Sequence, residues 1–114
     1  MTVLNIYDAF DCLKQLGFAI SKSLYACGTA TQEQFDYSAK IVNTLAYADD
    51  LYKAAPVDER RGEPFQKAMK EVREAIALIE CKEGRAFMES LNVPTRVMVE
   101  TLALTAHTYL PVKE

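Results

Sequence analysis

Two pairs of acidic residues at helical spacing are the strongest candidates for chemistry in this chain: Glu71 with Glu74, an E-x-x-E, and Glu33 with Asp36, an E-x-x-D. Residues three apart share one face of a helix, so each pair can offer two carboxylates to a divalent cation such as Mg²⁺. If the four carboxylates met at one ion, the metal would activate a water for attack on a phosphate. The same residues also have a plainer reading. Glu71 and Glu74 alternate with Lys67, Lys70 and Arg73, the pattern of a solvated helix face laced with ion pairs one turn apart. Composition favours this second reading.

An all-α metal-dependent nucleotide pyrophosphohydrolase built on such pairs carries its E-x-x-E before its E-x-x-D. Here the order is reversed, and no aspartate follows Asp58. An enzyme of that kind, using Glu33, Asp36, Glu71 and Glu74, is therefore the alternative function. His107 is the one histidine; a ligand or general base needs partners, and the sequence offers only Glu100, two turns earlier. A di-iron E-x-x-H, a zinc H-E-x-x-H, a glycine-rich phosphate loop and a G-x-S-x-G elbow are all missing from the sequence. Cys12, Cys27 and Cys81 make no C-x-x-C, and the first two fall on an apolar helix seam, where they read as packing residues. No cofactor is expected.

Binding chemistry is better represented. Tyr37, Tyr47 and Tyr52 lie on one predicted helix at positions that cannot all face one core, and Tyr37 and Tyr47 are off its main stripe. Tyrosine is enriched at protein interfaces because it offers area and a hydroxyl at low entropic cost, so these two are candidate recognition residues. Arg60 and Arg61, in a charged loop, form a second candidate docking element. The basic residues from Arg60 to Arg85 are interleaved with Asp58, Glu59, Glu63, Glu71, Glu74, Glu80 and Glu83, which cancel their field. With a net charge of -3 and a pI near 5.2, nucleic acid is an unlikely partner.

The elements that must position these groups are helices. Ile6, Phe10, Leu13, Gly17, Ile20, Leu24 and Cys27 recur at gaps of three and four, predicting a long first helix that ends at Gly28. Gly17, on its apolar seam, either permits a close helix contact or divides the helix. Thr31 with Gln34 resembles a capping box, and the helix it starts runs to Pro56 with an apolar face through Phe35, Ala39, Val42, Leu45, Ala46 and Tyr52. Pro64 opens a third helix striped by Phe65, Met69, Val72, Ile76 and Ile79, with Gly84 as a candidate C-cap. Arg85 to Leu91 reads as a short helix, and Asn92-Val93-Pro94-Thr95 as the break before a final one from about Thr95 to Leu110.

That last helix is apolar nearly all round, so it is expected to lie under other helices or against a second copy, with Val97, Met98, Leu102 and Leu104 as candidate interface residues. With 114 residues, half of them apolar, residues 1–114 are expected to form a single all-α domain: a bundle of four long helices, or of four plus one additional short helix. No charge-free stretch reaches the roughly 18 to 20 residues of a membrane span. An odd cysteine count and no signal-peptide pattern point to a cytoplasmic protein. The expected function is a small acidic helical protein-binding module or regulator, of the kind that serves as an accessory subunit or a phage or mobile-element inhibitor. Its partners would be a protein and a second copy, making it a homodimer.

Overall fold

The computed structural model describes residues 6–56 and 62–110, with side chains from Ala9 onward. Every element among them is a helix: α1 (Ile6–Cys27), α2 (Gln32–Ala54), α3 (Glu63–Glu80), α4 (Lys82–Ser90) and α5 (Val93–Tyr109). The chain is an all-α bundle. In it α1 packs between α2 and α5, and α3 closes the ring by packing on both α2 and α5. The short α4 leans on α3 and touches α5. No helix among the described residues is long and apolar enough to cross a membrane.

Local chemistry accounts for most boundaries. Thr31 Oγ1 accepts the Gln34 N–H at 3.1 Å while Gln34 Oε1 accepts the Thr31 N–H at 2.8 Å, so the capping box forms as expected. Gly28, just past α1, holds φ at +71°, a left-handed conformation that a β-carbon would strain. Asn92 caps α5 by accepting the Thr95 N–H at 2.9 Å. That helix therefore starts two residues earlier than expected, and Thr95 is free to serve the core. Its hydroxyl, fully buried, pairs with Ser23 of α1 at 2.6 Å and ties the end of α1 to the start of α5.

Gly84 is not the C-cap of α3. The helix stops at Cys81, which ends α3 and caps α4 at once: its N–H donates to the Ala77 carbonyl, and its sulfur accepts the Gly84 N–H at 3.3 Å. Gly84 lies inside the first turn of α4, where a β-carbon would fall on the carbonyl oxygens of Leu78 and Ile79. Only glycine lets α4 turn back so tightly onto the end of α3. Gly17 does not divide α1, which runs unbroken past it. A β-carbon there would lie 3.2 Å from Val42 Cγ2, so the glycine permits close approach to α2.

One contiguous core draws on all five helices. At one end Phe10 and Tyr52 stack with centroids 4.6 Å apart, and Phe65 meets both edge-on. The inward stripe of α2 differs from the expected one. Ser38, Ile41, Val42, Leu45, Ala48, Asp49 and Tyr52 are buried, whereas Ala39 is exposed and Ala46 lies at the edge. Two polar residues hold core positions because each finds a partner: Ser38 Oγ donates to the Phe35 carbonyl of its own helix at 2.9 Å, with Ser21 of α1 at 3.5 Å, and Asp49 meets Lys14 of α1.

The last helix is not buried on nearly every side. It lies at the edge of the bundle with Thr95, Val99, Leu102 and Ala106 turned inward and Val93, Val97 and Leu104 turned out. An apolar circumference need not be covered when the other helices are already packed against one another.

Candidate functional site

The outward face of α5 is the most distinctive surface. Val93 and Leu104 are each 67% exposed and Val97 51%, and Thr101 and Thr108 in the same series are also exposed. These positions recur at three- and four-residue gaps and so form one continuous row. Thr101 Oγ1 donates to the Val97 carbonyl at 2.8 Å, and Thr105 Oγ1 to the Thr101 carbonyl at 2.7 Å. With those donors returned to their own helix, these two threonines can be covered without stranding a hydroxyl proton. Of the helix's charged and titratable side chains, Arg96 and His107 turn toward neighbouring elements, whereas Glu100, three residues after Val97 and four before Leu104, is exposed along the edge of the row. Arg96 donates to the Leu91 carbonyl at 3.3 Å, His107 sits 3.4 Å from Glu80 of α3, and Glu100 lines a cleft with Ile79 and Arg85. His107 thus finds its carboxylate on a neighbouring helix rather than at Glu100.

The four residues expected to make a self-association face divide accordingly. Val97 and Leu104 are exposed, and Met98 is half-buried against the core. Leu102 is completely buried by its own chain and has no surface to offer a second copy. It sits one turn from Val99 and Ala106 on the inward stripe.

Tyr37 and Tyr47 do not form one recognition face. Ten residues, or about 15 Å of helix, separate them, and only Tyr47 is well exposed, at 53%. Tyr37 leans into the space between α2 and α4, where its hydroxyl donates to the Leu78 carbonyl and lies 3.5 Å from the Cys81 sulfur. Burial, and then the neighbouring Cys81, hold its phenol well above the usual tyrosine range. Its ring packs on Phe87 with centroids 4.8 Å apart. Arg60 and Arg61 lie outside the described residues.

The carboxylate pairs behave separately. On α3, Glu71 and Glu74 do approach each other, and partial burial followed by the charge of Glu74 raises Glu71 above the ordinary carboxylate range. On α2, Asp36 accepts from the Gln32 amide at 2.8 Å, and Glu33 stands at the mouth of the α2–α4 cleft. The two pairs do not converge: no group of three or more His, Cys, Asp or Glu among the described residues is placed to hold a metal. We derive no metal-dependent step from them. On α3, Lys67 pairs with Glu63 at 3.2 Å rather than with Glu71, the partner that the interleaved pattern suggested.

Sequence reasoning missed a charged cluster between α1 and α2. Asp49 is 1% exposed, and its Oδ2 accepts from Lys14 at 2.8 Å and meets Lys53 at 3.3 Å. Asp11 lies 3.6 Å from Lys14 and 3.3 Å from Lys53, completing a neutral quartet. The available signal was register: Asp49 sits four residues after Leu45 and three before Tyr52, on the inward stripe. The quartet has the form of a structural clamp, two cations holding one buried carboxylate and one exposed one.

All three cysteines are free and half-buried. Hydrogen bonds from Thr29 lower the Cys27 thiol, whereas desolvation and then Asp11 raise that of Cys12. The chain matches no known family model, no characterised protein and no solved structure.

Proposed function

We propose that this chain is a small helical protein-binding module acting through folded surfaces, and that the outward face of α5 is covered by a second copy of the chain. The observation that carries the reading is the charge-free row Val93, Val97, Thr101, Leu104 and Thr108, with three large apolar side chains half or more exposed. Exposed apolar residues scattered singly are ordinary, whereas a row along one helix offers a small continuous contact surface. A second copy suits it because a two-fold contact sets each residue of the row against the same row of its partner. The row itself carries no charge, and Glu100, exposed at its edge, is the charge that a two-fold contact must leave in solvent.

Size sets the strength. The row spans about 24 Å of helix and about 10 Å of width, well short of the roughly 800 Å² per partner of a standard stable interface. The dimer expected is therefore a weak one that dissociates on dilution. Sedimentation velocity over a roughly hundredfold dilution series reads this directly. The wild-type mass should fall from near twice the chain mass toward the monomer. Leu104→Glu should be monomeric throughout and, at dilutions where the wild type is also monomeric, should melt like it, because the exposed residue lies outside the core. A monomer at the highest concentration, or a dimer indifferent to Leu104→Glu, would overturn the proposal.

A further inference from the structure

The cleft between α2 and α4 is a different surface, and its chemistry selects a different occupant. It encloses about 600 Å³. Its floor is aromatic: Phe87, 6% exposed, supports the Tyr37 ring at a 33° tilt, and the Tyr37 hydroxyl is fixed on the Leu78 carbonyl. Glu33 on α2 and Glu83 on α4 stand on its two lips, both exposed. One end is closed by Gln34, whose amide donates to the Ser90 carbonyl at 3.0 Å and to Ser90 Oγ at 3.1 Å, while its oxygen is held in the capping box. Floor and wall are therefore fixed before anything binds.

An aromatic face is electronegative and attracts a cation, and carboxylates on either side add to that attraction. One cation already lies here: the Lys40 ammonium, which also lines the cleft, stands 6.0 Å from the centre of the Tyr37 ring, at the outer reach of a cation–π contact. Lys40 is exposed on a flexible stem, so a competing cation can displace it. A planar guanidinium suits the site better than an ammonium, because it stacks on the ring while its fork of N–H donors reaches a carboxylate with two hydrogen bonds. We infer that this cleft docks an arginine side chain carried on a segment of a partner protein, with Tyr37 as the stacking platform and Glu33 and Glu83 as the paired acceptors. This inference is independent of the α5 face and survives if that face proves monomeric.

The test titrates isotope-labelled protein with an arginine-rich tetrapeptide, and separately with its lysine and glutamate counterparts, following backbone amide shifts. Saturating shifts at Glu33, Tyr37, Glu83 and Phe87 are expected with the arginine peptide, weaker ones with lysine, and none with glutamate. In Glu33→Gln/Glu83→Gln, two exposed positions whose change leaves the fold intact by circular dichroism, affinity should fall at least about tenfold. Tyr37→Leu, which keeps both carboxylates, should weaken the arginine peptide more than the lysine one. Shifts spread over other acidic faces, affinity unchanged in the double variant, or equal binding of lysine and arginine would each overturn the assignment.

Discussion

Replacing Lys14 with methionine tests the buried-charge clamp, because methionine keeps the apolar stem and removes the ammonium. In the folded chain Asp49 is 1% exposed and is held by Lys14 at 2.8 Å and Lys53 at 3.3 Å. Unit charges this close attract by on the order of 4 to 6 kcal/mol at an effective dielectric of about 20, and desolvation of the carboxylate offsets most of that. Exposed pairs net about 0 to 1 kcal/mol and broken buried pairs cost about 3 to 5 kcal/mol. Lys14→Met should fall between, at about 2 kcal/mol, since Lys53 stays beside Asp49 but is itself 47% exposed. Asp49→Asn alone should cost about 1 kcal/mol, because both lysines can turn to water. The double variant should cost little more than Asp49→Asn, leaving a coupling on the order of 1 to 2 kcal/mol. Urea unfolding of the four proteins, followed by far-ultraviolet circular dichroism, reads each difference as a shift in midpoint at constant slope. A coupling within about 0.5 kcal/mol of zero would refute the clamp.

Alkaline unfolding checks the same cluster: hydrogen bonding to Asp49 leads the causes that raise Lys14 above 10.5, so its contribution is complete below that value and is lost as pH climbs past it. Between about pH 10 and pH 12 the wild type should therefore lose more stability than Lys14→Met, with the raised phenol of Tyr37 contributing equally to both. Gly84→Ala should destabilise by about 2 to 4 kcal/mol despite alanine's better helix propensity, because the added carbon overlaps two carbonyl oxygens; a neutral result in urea would show that α4 can move away from α3. Leu102→Ala should cost about 2 to 5 kcal/mol, whereas Leu104→Ala should stay within about 0.5 kcal/mol of wild type, as differential scanning calorimetry under monomeric conditions would measure. Iodoacetamide at mildly alkaline pH should alkylate Cys27 before Cys12, and mass mapping that finds the reverse order would contradict the opposite shifts of the two thiols.

Legibility in the sequence tracked how local the cause was. Ends governed by a side chain within a few residues were readable: the Thr31–Gln34 capping box, the break at Asn92, the stop before Pro56, the left-handed Gly28. Wherever the deciding partner came from another helix, the reading slipped. Gly84 has the composition of a C-cap, yet its place is set by the carbonyls of Leu78 and Ile79. Asp49 has inward register on α2, but the cation that makes its burial possible, Lys14, comes across the α1–α2 contact. Tyr37 and Tyr47 look alike on a helical wheel, and α4 alone makes one of them the floor of a cleft.

By itself the sequence determined that the chain is helical and roughly where each helix begins, because backbone caps, prolines and three-to-four periodicity act over a turn or two. It also fixed which residues are apolar on α5. Only the tertiary structure decided which of them are covered. Periodicity states that a face is hydrophobic, but burial depends on how many neighbours the bundle brings to it, and here α1 and α3 cover the inward half of α5 and leave Val93, Val97 and Leu104 in solvent.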